Sequence, residues 1–224
     1  KPSVHVHGQE TKNLERNIEN MEIRIDEKVF SKEDVEKLGI NVGDFIFLDP
    51  RATITDGGFI KSRHLDDKAG VACLLGIAKY IVDNDIVPKY TTNFFISNYE
   101  EVGHGASASI PEKTFEFIVV DMAAVGEGQA SDEYSVTICA KDSTGPYDLE
   151  LKNKLIELAE ENKIKYKIDI YPNYGSDGSA ALTAGYDMKV GLIGPGVDAS
   201  HSFERTHKEA LENTTKLGIL YLTK

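Results

Sequence analysis

Arg63-His-Leu-Asp66-Asp67-Lys-Ala-Gly-Val71-Ala-Cys-Leu-Leu-Gly-Ile-Ala-Lys-Tyr-Ile-Val82 decides how the chain is read. Val71, Leu74, Leu75, Ala78, Ile81 and Val82 recur at helical spacing, so a helix begins directly behind two adjacent acids. Beyond it the pattern alternates. Strands are predicted at Thr92–Tyr99, Glu116–Val120, Ser135–Ala140, Lys165–Tyr171 and Lys189–Ile193. Helices are predicted over roughly Asp148–Asn162, after Ser176-Asp-Gly, and from about Lys208. Such alternation predicts an α/β fold: a mixed, mostly parallel sheet with helices on both faces. In sheets of this kind, sites form beyond the carboxyl ends of the strands.

Upstream the texture differs. Residues 1 to about 61 hold short strand-like pieces, Val4-His-Val-His, Met21-Glu-Ile-Arg-Ile, Asp44-Phe-Ile-Phe-Leu and Phe59-Ile, linked by Gly, Asn and Asp. One short helix interrupts them, with Ser31 as N-cap, Glu33 and Asp34 in its first turn and Gly39 as its stop. The expectation is therefore a small β-rich domain over 1–61 and a larger α/β domain over 62–224.

Composition narrows the partners. The 224 residues are 41% apolar and 28% charged, ordinary for one globular core with a small appended domain. Lys+Arg 25 against Asp+Glu 37 gives a net charge of −12. Nucleic acid and anionic membranes are thereby disfavoured, because polyanion binding relies on clustered Lys and Arg. Cys73 and Cys139 lie inside apolar segments and read as buried free thiols. No apolar run approaches the roughly 18 residues of a membrane span, and no signal peptide opens the chain, so a reducing, cytoplasmic setting is expected. Lys1 falls inside what reads as a strand, and a segment upstream is expected.

The acids carry the chemistry. Glu100 and Glu101 end the apolar run Thr92-Asn-Phe-Phe-Ile-Ser-Asn-Tyr; Asp66-Asp67 follows Ile60-Lys-Ser-Arg-His-Leu; Asp121 ends Phe117-Ile-Val-Val; His201 follows Met188-Lys-Val-Gly-Leu-Ile. Each has a plain reading: a helix cap for Asp66-Asp67, a solvated strand end for Glu100-Glu101, a turn acid for Asp121, a loop histidine for His201. Together, carboxylates and an imidazole from separate strand ends suit Zn, Co or Mn ions. One carboxylate is left over as a general base.

The order Ser62-Arg-His-Leu-Asp66-Asp67-Lys-Ala-Gly70, Glu100-Glu101-Val-Gly-His-Gly-Ala, Val119-Val-Asp121, Tyr174-Gly-Ser-Asp-Gly and Ser200-His201-Ser resembles the tetrahedral and glutamyl aminopeptidases. These are dinuclear metallopeptidases of clan MH, also called deblocking aminopeptidases and formerly mislabelled endoglucanases. The resemblance implies two divalent metal ions per subunit. Asp66 would bridge them, Glu101 and His201 would complete one, and Asp121 would bind the other. Glu100 matches the general base acting on a water between the ions, and the bond between Asp66 and Asp67 is expected to be cis. Peptides cleaved from the amino end would be the substrates. The β-rich segment resembles the family's inserted domain, which mediates subunit contacts, so a homo-oligomer from dimer to dodecamer is implied.

Two departures accompany the resemblance. The family's second metal takes a further histidine from a His-x-Asp motif that precedes the inserted domain, and this sequence has no such motif; His5 and His7 read as part of an ordinary strand. The segment after Glu-Glu-Val-Gly is also shorter than usual, which leaves His104 between a pocket-lining and a plain loop role. An N-acyl amino acid deacylase or carboxypeptidase of the same clan would use the same acids. A metal-binding or assembly subunit without activity is the third reading.

Overall fold

The computed structural model describes residues 3–224, which fall into two compact units that divide between Leu48 and Asp49. In the first unit, α1 spans Val4–His7, α2 spans Glu10–Asn13 and α3 spans Lys32–Lys37. The third helix follows its sequence cues. Ser31 Oγ accepts the Asp34 N–H at 3.2 Å, and Gly39 leaves the helix at φ +83°. The strands expected at Val4–His7, Met21–Ile25 and Asp44–Leu48 do not form: the first is helical, and the other two belong to no ladder. Alternating apolar residues supply one side of a pairing only, and a strand without a hydrogen-bonded neighbour has nothing to hold it extended. Phe45 and Phe47 accordingly stay about nine-tenths exposed (88% and 91%).

The second unit is built on a mixed sheet of eight strands. These are β1 (Thr53–Ile54), β2 (Phe59–Ser62), β3 (Glu116–Val120), β4 (Ala123–Val125), β5 (Val136–Lys141), β6 (Tyr166–Ile170), β7 (Lys189–Asp198) and β8 (Glu204–His207). Their main path runs β1-β2-β8-β7-β5-β6, with β3 and β4 also paired to β7. Parallel pairing joins β3 and β4 to β7 and β5 to β6, while β5–β7, β7–β8, β8–β2 and β2–β1 are antiparallel. The mixed α/β class expected from the sequence is borne out.

Helices lie on both faces, because successive residues of a strand point to opposite sides. Val136 and Ile138 of β5 and Ile193 of β7 pack with Leu155 and Leu158 of α5 (Leu149–Glu161) and Leu217 of α7 (Lys208–Thr223). Cys139 and Leu192, one residue along, face Val119, Tyr147 and Tyr171 on the other side. Ala181 of α6 (Asp177–Thr183) packs there with Phe117 and Met188. Local signals start the helices where they do: Asp148 Oδ1 accepts the Leu151 N–H at 2.8 Å, and Ser176 Oγ accepts the Gly178 N–H at 3.2 Å. α4, Leu65–Asp83, forms where expected, but the side it buries is Ala69, Cys73, Ile77 and Ile81; of the residues whose spacing announced the helix only Ile81 is buried, and Leu75 and Val82 stay exposed. Both cysteines are buried and free, as expected.

Thr92–Tyr99 departs from expectation, forming no strand among the described residues. It is a short apolar run, but no neighbour offers a ladder, and Phe94 and Ile96 stay exposed.

Where β7 crosses the carboxyl end of β3, the two backbones nearly touch. The Asp121 N–H donates to the Ile193 carbonyl at 3.1 Å, and a Cβ on Gly194 would stand 1.5 Å from the Asp121 carbonyl oxygen. Only glycine fits there. Gly194→Ala should cost about 1–3 kcal/mol or more through overpacking, read as a fall in the thermal midpoint; an unchanged midpoint would disprove the close approach.

Candidate metal centre

Strand ends and one helix start supply the site. Asp66 opens α4 just behind β2, Glu100 and Glu101 sit on a 3₁₀ turn at Glu100–Val102, Asp121 follows β3, and His201 lies between β7 and β8. The peptide bond between Asp66 and Asp67 is cis, as expected. Both residues have non-helical backbones, so their side chains part company. Asp67 turns back to accept the Gly70 N–H at 3.1 Å and is the helix cap. Asp66 faces a cleft. A Cβ on Gly70 would meet Asp67 Oδ2 at 2.3 Å and the Val120 carbonyl at 2.6 Å, which fixes glycine at that position.

The Glu100–Glu101 turn is closed by left-handed residues at both ends, Tyr99 (φ +66°) and Gly103 (φ +82°). That bend lets two successive carboxylates serve one cleft, as a straight strand could not. His201 is itself left-handed at φ +63°. Its Nε2 lies 3.2 Å from Asp66 Oδ2 and 3.4 Å from Glu101 Oε2. Asp66, Glu101 and His201 each offer one donor atom, and these atoms all fall within 4.8 Å of one another. Asp121 stands outside that trio but lines the same cleft, buried to 6% exposure, with Oδ1 accepting the Met122 N–H at 2.6 Å. His104 does not line the cleft; it stacks on Tyr99 with ring centres 5.1 Å apart. His5 and His7 belong to α1 of the other unit.

The cleft encloses about 900 Å³, and none of the described residues lining it is Lys or Arg. Negative charge therefore accumulates without a fixed counter-charge. Burial, and then the charge of Glu101, push Asp66 up to about 6, against the pull of His201. Burial and the neighbouring Asp177, Glu101 and Asp66 push Glu100 up to about 7. Asp67 and Asp121 are held well above the carboxylate range by burial first. The charge of Asp121 adds to the effect on Asp67, and that of Asp66 to the effect on Asp121. Two carboxylates and an imidazole within a few ångströms, at the edge of a set of acids seeking a cation, fit a divalent ion.

Two residues given no role in the sequence reading hold the site together. Asp177, at the start of α6, accepts the Ser97 hydroxyl and, at 2.8 Å, the Ala106 N–H, bracketing the Glu100–Glu101 turn on both sides. Glu204 of β8 accepts the backbone N–H groups of Leu65, Asp66 and His201. In sequence, Asp177 looked like an ordinary helix-start acid. A His-x-x-Glu spacing at 201–204 was the sole cue for Glu204, and spacing alone does not reveal which way a strand residue faces.

The chain belongs to the M42 glutamyl aminopeptidase family, whose sequence pattern matches residues 2–217. It is 58% identical over 98% of its length to "Putative aminopeptidase YhfE" of Bacillus subtilis (strain 168), covering 63% of that protein. It is 30% identical over 90% of its length to a "Putative aminopeptidase" of Acetivibrio thermocellus, covering 62% of it. The chain thus spans a little under two thirds of the length of the curated relatives it matches. Among solved structures it resembles the Pyrococcus horikoshii TET1 peptidase, described as assembling into a tetrahedron or a large octahedral shell. That match has a TM-score of 0.73 and 26% identity, over 87% of this chain and 58% of the other. The aminopeptidase APDkam598 of Desulfurococcus kamchatkensis shares the fold with a TM-score of 0.71 at 24% identity, over 88% of this chain and 57% of that one.

The raised carboxyls give a pH signature. A group whose pKa folding raises favours the folded state below its unfolded value, and that contribution is lost as pH climbs through the folded value. For Asp66 and Glu100 the window runs from about pH 4 to about 7. The thermal midpoint of the metal-free protein should fall across it, and Asp66→Asn and Glu100→Gln should each flatten the fall. Slopes identical to the parent in both variants would show that neither carboxyl is perturbed.

Proposed function

We propose that the chain carries the catalytic site of a metal-dependent aminopeptidase. The observation that supports this best is the convergence of Asp66, Glu101 and His201 beside a glutamate, Glu100, poised near neutrality. Asp66, Glu101 and His201 would hold one divalent ion, with Asp66 and Asp121 contributing to a second; Zn, Co and Mn all suit such ligands. Bound there, a divalent ion supplies Lewis acidity and makes a water molecule acidic enough to act near neutral pH.

The side chains do the rest. Glu100 takes a proton from the attacking water as the water oxygen bonds to the first peptide carbonyl carbon. As the C–N bond breaks, Glu100 returns that proton to the departing amine. The acids lining the cleft favour a substrate bearing a free α-ammonium, which directs cleavage to the amino end. The residues before Asp49 would form the inserted domain, and those from Asp49 onward, β1 and β2 included, the catalytic domain, a boundary earlier than the one expected at 61. A homo-oligomer is proposed by likeness to the assembling relatives, in a cytoplasmic setting, with peptides rather than nucleic acid or membranes as partners. Among the described residues no helix is long and apolar enough to cross a membrane.

Glu100→Gln, made in the full-length protein, should retain its metal and lose at least about 100-fold in kcat on aminoacyl anilides, the usual worth of a general base. Chelation should abolish turnover and added Zn, Co or Mn should restore it. Near-parental turnover by Glu100→Gln would remove Glu100 from the mechanism, and faster cleavage of amino-blocked than of free peptides would favour a deacylase.

A further inference from the structure

Glu204 is an acidic side chain left only 2% exposed, and the hydrogen bonds it accepts come from backbone. Burying a carboxylate is costly unless hydrogen bonds replace its water. Here they do, in a pattern that spans the site. Oε2 accepts the N–H groups of Leu65 and of Asp66, the latter at 3.1 Å, while Oε1 accepts the N–H of His201 at 3.0 Å. Arg205, its neighbour in sequence, is engaged elsewhere: Nε and Nη2 each donate to Glu133 at 2.8 Å. The reach of Glu204 is set by the sheet, because β8 pairs antiparallel with β2 and places Glu204 opposite Ser62, three residues before Leu65.

The geometry points to Glu204 as a positioning residue: from behind the site, its two oxygens tie the backbone of Asp66 to the backbone of His201 and hold both side chains at the spacing an ion requires. It touches neither ion nor substrate. The link matters because the two loops are 135 residues apart in sequence, counting from Asp66 to His201. His201 moreover sits in a turn of left-handed residues, with Ala199 at φ +58°. Fixing one ligand to the other through a single rigid group removes freedom that the ion would otherwise have to overcome on binding. Glutamine cannot replace it. Nearly identical in shape, Gln has one acceptor oxygen and one NH₂. Whichever way it turns, the NH₂ meets an N–H donor, either that of His201 or those of Leu65 and Asp66. The inference rests on the metal-site reading above, and the experiment below separates the two.

Backbone amide exchange in the metal-free protein tests the tie itself, comparing the parent, Glu204→Gln and Glu133→Gln. The last breaks the ion pair of Arg205, the next residue of β8, and controls for general loosening. Asp66 and His201 amides are expected to exchange at least 10-fold faster in Glu204→Gln and near the parental rate in Glu133→Gln. Equal exchange in the two variants overturns the proposal. If Glu204→Gln does not fold, the parent decides: a His201 amide exchanging at the unprotected rate overturns it, and one slowed at least 10-fold upholds it. Cobalt(II) titration followed by visible absorption then reads the ligands. Glu204→Gln should bind roughly 10- to 100-fold more weakly, as loss of outer supports commonly does, with an altered band shape; parental affinity and spectrum overturn the positioning role. A parent protein that takes up no more cobalt than His201→Ala would instead refute the metal site, with amide exchange still judging Glu204.

Discussion

Carboxylates crowded into a poorly solvated cleft are the constraint around which this fold is arranged. Asp66, Asp67, Glu100 and Asp121 would each be simpler to keep in water, and burial raises the pKa of every one. Hydrophobic packing holds the sheet and helices together, but it does not reconcile these charges. The protein's own answer is partial: backbone N–H groups, helix starts and one imidazole. What remains is a demand for positive charge that a divalent ion would meet and that no lining lysine or arginine removes.

Rigid scaffolding makes that arrangement possible. Gly70 and Gly194 let backbone approach backbone or side chain at distances no Cβ would allow, so Asp67 and Asp121 are set by close packing. Asp177 braces the glutamate turn, and Glu204 braces the aspartate and histidine loops. Side chains from distant parts of the chain are thereby brought to one cleft by residues held behind them.

Much of this was legible in the residues. The helix behind Asp66-Asp67, the cap at Ser31, the helix from about Asp148, and the strands Glu116–Val120 and Lys189–Ile193 follow from local signals, although the face that α4 buries, Ala69, Cys73, Ile77 and Ile81, is not the one its spacing marked. The trio Asp66, Glu101 and His201 was readable because motif order and strand-end placement agreed. Pairing was not readable. Thr92–Tyr99 and Asp44–Leu48 hold apolar runs of strand length and form none, since a ladder depends on a neighbour that local sequence does not encode. Asp177 and Glu204 escaped for a related reason: their worth lies in which backbone amides the tertiary fold brings to them.

The two sulfur atoms carry a last implication. Burial pushes the thiols of Cys73 and Cys139 up to about 12, so near neutral pH both remain protonated and shut away from solvent. Both lie in packed interior, outside the lining of the cleft where the acids gather. Copper or cadmium, which favour sulfur, would meet no cysteine among the residues lining it.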